Sequence, residues 1–213
     1  MFDIAASPFW LLAVGFALGA RHALDPDHVV AVTTIVTREG TLARARMVGA
    51  LWGIGHSLTV FLVGGTLALF RVAVPARVGL ALEFVVAIML VVLGVANLMR
   101  TKNAKPPSTA RPLAVGFVHG LAGSAAIAVL LSAAAPTLLA AALYLLLFGV
   151  GTVAGMMLLT TLIAAPTVLL AGRYAGFGPR LRFASGVASV ALGLFIAHDV
   201  GITDGLFSAL PPR

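Results

Sequence analysis

The stretch ARHALDPDHV, residues 20–29, sets an arginine, two histidines and two aspartates around a proline, inside a run that is otherwise Leu, Val, Ala and Gly. That run extends from 8 to 37, enough to cross a bilayer, for which a helix needs about 20 apolar residues. A tilted crossing over it has its centre near His22, so the polar groups fall deep in the hydrocarbon, where ionisable side chains are costly and functional by default. Pro26 decides how the chain accommodates them. Within a continuous helix a proline removes one hydrogen bond and collides with the carbonyl four residues back. With Asp25 as N-cap and Pro26 at the first helical position, the same residues restart a helix instead. The first crossing is therefore expected to be broken near Pro26, freeing carbonyls around 22–24 and letting His22 converge with Asp27 and His28.

Outward from this stretch the chain reads as an all-α integral membrane protein. Of its 213 residues 61% are hydrophobic and only 10% charged, with a mean hydropathy of +1.09, far from the soluble globular range. Six apolar runs, 8–37, 47–70, 78–99, 113–134, 137–171 and 181–200, predict six transmembrane helices in one domain covering 1–213. The net charge of +7 does not point to nucleic acid, because the cations sit in short gaps between apolar runs. Ten of the 14 fall after the first, third and fifth runs: Arg38, Arg44, Arg46, Arg100, Lys102, Lys105, Arg111, Arg173, Arg180 and Arg182. The positive-inside rule then puts those loops in the cytoplasm and both termini outside the plasma membrane. Absence of cysteine removes thiol and zinc–cysteine chemistry. The N-terminus lacks a basic segment before its apolar run, so the first span is expected to be retained.

The linker KNAKPPSTARP at 102–112 divides the chain into halves, 1–101 and 113–213, of three spans each. LAVGF at 12–16 recurs at 113–117, LWGIG at 51–55 echoes LFGVG at 147–151, and VLGV at 92–95 echoes ALGL at 191–194. Three spans per half give the halves opposite senses, so two inverted repeats are expected, the ground plan of many secondary transporters. By the first echo, His119 aligns with Leu18, and Gly123 with His22.

Two imidazoles and a carboxylate at one point, His22, Asp27 and His28, suit a first-row divalent ion such as nickel, cobalt or zinc better than magnesium or calcium, which take more oxygens. His56, after Gly53 and Gly55 in the next span, would complete a four-ligand metal set. Ser57 could orient a ligand or bond back along its helix. Arg21 and Asp25 flank the set, Arg21 either neutralising Asp25 or reaching toward an aqueous cavity. His119 and Ser124, in GFVHGLAGSAA, are candidates for a pathway beside it. Thr160 and Thr161 are weaker candidates, His198 and Asp199 read as an interfacial pair, and Glu83 and Asn97 have no assigned role.

RHALDPDH at 21–28 and GHS at 55–57 resemble the two hallmarks of the nickel/cobalt transporter family and its shorter six-span relatives, the urease-accessory and high-affinity nickel-transport proteins. The resemblance implies a metal path through His22, Asp27, His28 and His56. Where larger members carry acidic motifs in the second half, this chain has HGLAGSAA and, after Gly155 and Met156, threonines. The expected function is a permease that moves Ni²⁺ or Co²⁺ into the cytoplasm by alternating access, with no enzymatic activity, prosthetic group or nucleotide. A 100 mV inside-negative potential is worth about 4.6 kcal/mol for a dication, and uptake should weaken as pH falls toward the imidazole range. The rival readings are an exporter of metal or of a small organic solute, and a haem-binding electron carrier with His22 or His56 as axial ligands. Neither HExxH nor a serine nucleophile turn is present.

Overall fold

The computed structural model describes residues 8–37, 39–70, 74–99, 109–122, 137–170 and 177–208. All secondary structure among them is helical: α1 Pro8–His22, α2 Pro26–Val36, α3 Leu42–Phe70, α4 Ala76–Met99, α5 Ala110–His119, α6 Leu138–Leu170 and α7 Phe177–His198, which runs on into a π-helical turn, Asp199–Thr203. Four helices are long and apolar enough to cross a membrane, over Leu42–Leu67, Ala76–Met99, Leu138–Leu169 and Phe177–Thr203. α1, α2 and α5 have 15, 11 and 10 residues and are each too short to cross alone. Large apolar side chains such as Leu62, Leu139, Leu162, Phe183 and Phe195 stand exposed around the bundle. A surface of that kind is stable against lipid and a liability in water. The interior is built on Trp52, Tyr144, Leu90 and Met156.

The expected break in the first run is present. It consists of Ala23–Asp25, between the end of α1 and Pro26 at the start of α2. α3 begins five residues before the expected 47, with Arg44 and Arg46 exposed in its first turns, and α5 begins at Ala110, within the expected linker. Pro112 is tolerated there because the first turn has no carbonyl to receive its missing N–H. The later part of the fourth run, with Gly123 and Ser124, lies outside the described residues.

Small residues set how the helices meet. At the α3–α6 crossing, Gly53 abuts Val153 and Gly149 abuts Ser57, so the second contact repeats the first 96 residues on. At the α4–α7 crossing, Gly94 abuts Gly186 and Val190, and Gly193 abuts Ala87 and Val91, a repeat at 99. Both pairs are antiparallel. α1 runs parallel to α6, with Gly15 on Tyr144 and Gly19 on Phe148, while Gly151 meets Phe16; α5 runs parallel to α3, with Gly116 on Trp52 and Gly120 on His56, while Gly55 meets Leu113. These contacts match each other when α5 is set 97 residues after α1. It follows that α1 and α5 point in opposite directions.

The 97 of these contacts differs from the 101 of the LAVGF echo. A slip of four residues is close to one helical turn, so it keeps every side chain on nearly the same face, and an apolar string cannot tell the two registers apart. At a spacing of 97 it is His119 that falls level with His22.

Candidate metal centre

The centre is assembled where helices stop. After His22, the N–H of Ala23 still reaches the Gly19 carbonyl at 3.3 Å, while those of Leu24 and Asp25 close tighter turns on Arg21 (2.8 Å) and His22 (3.1 Å). Pro26 would collide with the His22 carbonyl if the helix continued, which fixes the stop at this residue. The end of α5 repeats the pattern bond for bond: Gly120 to Gly116 at 2.9 Å, Leu121 to Val118 at 3.2 Å, Ala122 to His119 at 3.1 Å. Each of these helices thus ends on a histidine, and each directs its carbonyl end, with a partial negative charge of about half an electron, toward the same region.

His22, His28, His56 and His119 are all buried, the last three completely. His22 Nε2 lies 3.1 Å from His56 Nε2. Its other nitrogen, Nδ1, is 2.8 Å from Asp25 Oδ2. The Asp27 carboxylate serves two imidazoles: Oδ1 accepts from the backbone N–H of His28 at 3.0 Å and lies 3.2 Å from His28 Nδ1, while Oδ2 is 2.9 Å from His119 Nε2. Ring centroids are 4.6 Å apart for His22–His28, 5.0 Å for His28–His56 and 4.2 Å for His28–His119. His28 is therefore at the middle of the group. His28 Nε2, His56 Nδ1 and His119 Nδ1 are buried with no hydrogen-bond partner among the described residues. Two sets bring ligand atoms within 4.8 Å of one another: His22, His28 and His56; and Asp27, His28 and His119.

The four residues expected to form a metal set, His22, Asp27, His28 and His56, do come together. Other expectations are corrected. Asp25 occupies the N-cap position of α2 but makes no side-chain cap; its carboxylate is drawn to His22, and Arg21 stands exposed with no ion pair to it. Ser57 neither faces the imidazoles nor bonds back along α3: its hydroxyl donates to the Gly149 carbonyl of α6 at 3.1 Å. Thr160 and Thr161 donate to carbonyls of their own helix, those of Met156 at 2.8 Å and Met157 at 2.6 Å. Asn97 acquires a structural role, its amide donating to the Arg182 carbonyl and the Ser185 hydroxyl, both at 3.1 Å, where α4 meets α7. Exposed His198 belongs to neither ligand set. The haem reading loses its geometry, since two nitrogens 3.1 Å apart leave no slot for a macrocycle between His22 and His56. His119, expected only beside the pathway, belongs to the second of the two ligand sets. A signal was available in ALGARHAL at 17–24 and AVGFVHGL at 114–121, which share Ala, Gly, His and Leu at matching positions.

A bundle of apolar helices enclosing imidazoles and carboxylates at the ends of two opposed short helices defines a class, the polytopic membrane protein with a buried ionisable centre. The chain belongs to the high-affinity nickel-transport protein family, NicO, whose model matches residues 8–106. It is 35% identical to the urease accessory protein UreH of Bacillus sp. (strain TB-90) over 216 residues, 92% of this chain and 94% of that protein. Two Arabidopsis thaliana proteins, chloroplast proteins FOR GROWTH AND FERTILITY 1 and 2, are each 28% identical, over 92% and 85% of this chain and 61% and 54% of their own lengths. No solved structure matches.

Proposed function

We propose that the protein is a secondary transporter that carries a divalent transition-metal ion, Ni²⁺ or Co²⁺, into the cytoplasm across the plasma membrane. The observation that carries this reading is the convergence of four buried imidazoles, three with an unpartnered nitrogen, on one point among apolar helices. Two nitrogens bound to one ion at about 2.1 Å stand roughly 3.0–3.4 Å apart, and His22 Nε2 and His56 Nε2 are already 3.1 Å apart. Carboxylates behind the imidazoles fix tautomer and ring orientation, as outer-shell partners of metal-binding histidines do. In this arrangement Asp25 holds His22, and Asp27 holds both His28 and His119, with Asp27 also within reach of the ion itself. Membership of a nickel-transport family and the similarity to a urease accessory protein support nickel as the cargo.

The architecture proposed is six crossings in a single transmembrane domain, halves 1–101 and 113–213, related as inverted repeats. The paired offsets of 96, 97 and 99, and the identical endings of α1 and α5, support it. Such a plan alternates access to a central site by rocking one half on the other. The basic residues flanking the helices favour both termini outside, and the membrane potential suffices as driving force for a dication.

The test is accumulation of radioactive nickel by cells expressing the wild type or His28→Ala. Higher internal nickel with the wild type, abolished in the variant at equal membrane abundance, is expected. Lower internal nickel on expression would reverse the direction to export, and equal uptake by both proteins would remove the histidine centre from the path.

A further inference from the structure

The two ligand sets share one residue, His28, and each reaches it from a different helix end. His22 closes α1, His119 closes α5, and these helices approach from opposite sides. Resting on the transport reading, we propose that the centre is two overlapping subsites, His22–His28–His56 and Asp27–His28–His119, which a single ion occupies in turn, with His28 passing it from one to the other.

Three observations support the hand-off. First, His28 has one nitrogen to give. Its Nδ1 is held at 3.2 Å by Asp27 and only Nε2 is unpartnered, so separate ions cannot fill both subsites at once. Second, its ring is the near neighbour of both terminal histidines, 4.6 Å from His22 and 4.2 Å from His119, whereas His56 and His119 are 6.1 Å apart. An ion can therefore exchange outer ligands while keeping the middle one. Third, the two subsites are built alike. His22 and His119 stand 97 residues apart at helix ends with the same three backbone bonds, and each is met by a carboxylate, Asp25 of the break at 2.8 Å and Asp27 of the first turn of α2 at 2.9 Å. Each subsite thus combines imidazole nitrogen, one nearby carboxylate and the carbonyl end of a short helix, all of which favour a cation. When the halves exchange their conformations, the side open to water passes from the α1 end to the α5 end. His119 is on this account a ligand of the second step, not a bystander of the first.

The experiment measures Ni²⁺ binding to the full-length protein in detergent by equilibrium dialysis, and nickel uptake by the same protein in liposomes, with melting temperatures for every variant. The wild type is expected to bind one ion per chain. His56→Ala and His119→Ala should each still bind one ion, with affinity lowered by about 10–100-fold, and each should lose transport. His28→Ala and the His56→Ala/His119→Ala double variant should bind none. His119→Gln, which retains a donor for Asp27 but is a poorer ligand, should keep the wild-type melting temperature and still not transport. Two ions per wild-type chain, wild-type transport by His119→Ala or His119→Gln, or binding by the double variant would overturn the hand-off alone. A wild-type protein that neither binds nor moves nickel would overturn the transport reading, and this proposal with it.

Discussion

Gly120 is the place where packing and the metal centre can be pulled on together. It follows His119 directly and has ordinary right-handed backbone angles, φ −66° and ψ −12°, so alanine meets no conformational penalty there. What it meets is α3. A Cβ on Gly120 would lie 2.6 Å from the His56 carbonyl oxygen, 2.9 Å from Thr59 Cβ and 3.2 Å from His56 Cα, against the 3.4 Å at which ordinary contact begins. Moving from 2.6 to 3.4 Å requires the end of α5 to retreat from α3 by about 0.8 Å. Two results follow. Overpacking at a backbone contact costs about 1–3 kcal/mol. The same retreat loosens the 2.9 Å contact of His119 with Asp27, the carboxylate that also orients His28, and loss of an outer-shell partner lowers metal affinity by about 10–100-fold. Gly120→Ala should therefore melt lower in detergent and bind Ni²⁺ more weakly by that factor. Gly65→Ala is the matched control: it lies in α3 with nothing within 4 Å of the added Cβ, and alanine there should gain about 0.5–1 kcal/mol of helix stability. Wild-type nickel affinity and melting temperature in Gly120→Ala would refute the claim that this close approach positions the centre.

Other expectations follow from single contacts. Ser57→Ala removes the hydroxyl bond to Gly149 and should lower stability by about 0.6 kcal/mol, the average for interhelical bonds in membranes, with nickel affinity unchanged, as melting and dialysis will test. Asn97→Leu severs two bonds from α4 to α7 and should destabilise by about 1–2 kcal/mol on the same scale, again without weakening nickel binding. Glu39, between α2 and α3, has its carboxyl raised by partial burial, partly countered by Arg44. A raised carboxyl contributes stability at low pH and loses it as pH rises through the shifted value, so Glu39→Gln should melt higher than wild type at neutral pH and lose that advantage in acid.

Much of the centre was legible in ARHALDPDHV, because a proline four residues after a buried histidine dictates where α1 must stop, and the stop brings His22 and His28 together. The LWGIG and VLGV echoes carry the same offsets, 96 and 99, as the paired glycine contacts, whereas the LAVGF echo, at 101, lies one turn from the 97 of the α1 and α5 contacts. Leu, Ala, Val and Gly recur on every face of this chain, so the apolar residues leave offsets of 97 and 101 nearly equivalent, and the contacts of Gly19 with Phe148 and of Gly116 with Trp52 favour 97. At 101 His119 pairs with Leu18, so the likeness of the helix ends at His22 and His119 does not emerge from that echo. Asp25 takes the N-cap position that the local pattern predicts, but its carboxylate turns to His22, because a buried imidazole is a stronger partner than a backbone N–H. Ser57 departs from the local expectation for a helical serine, which gives way when a glycine on the facing helix leaves its carbonyl within reach.

The most direct test is X-ray absorption at the nickel edge on the purified, nickel-loaded protein. Two or three imidazole nitrogens around the ion, reduced in number by His56→Ala, are the predicted result. A shell of water oxygens alone, unchanged in the variant, would contradict it.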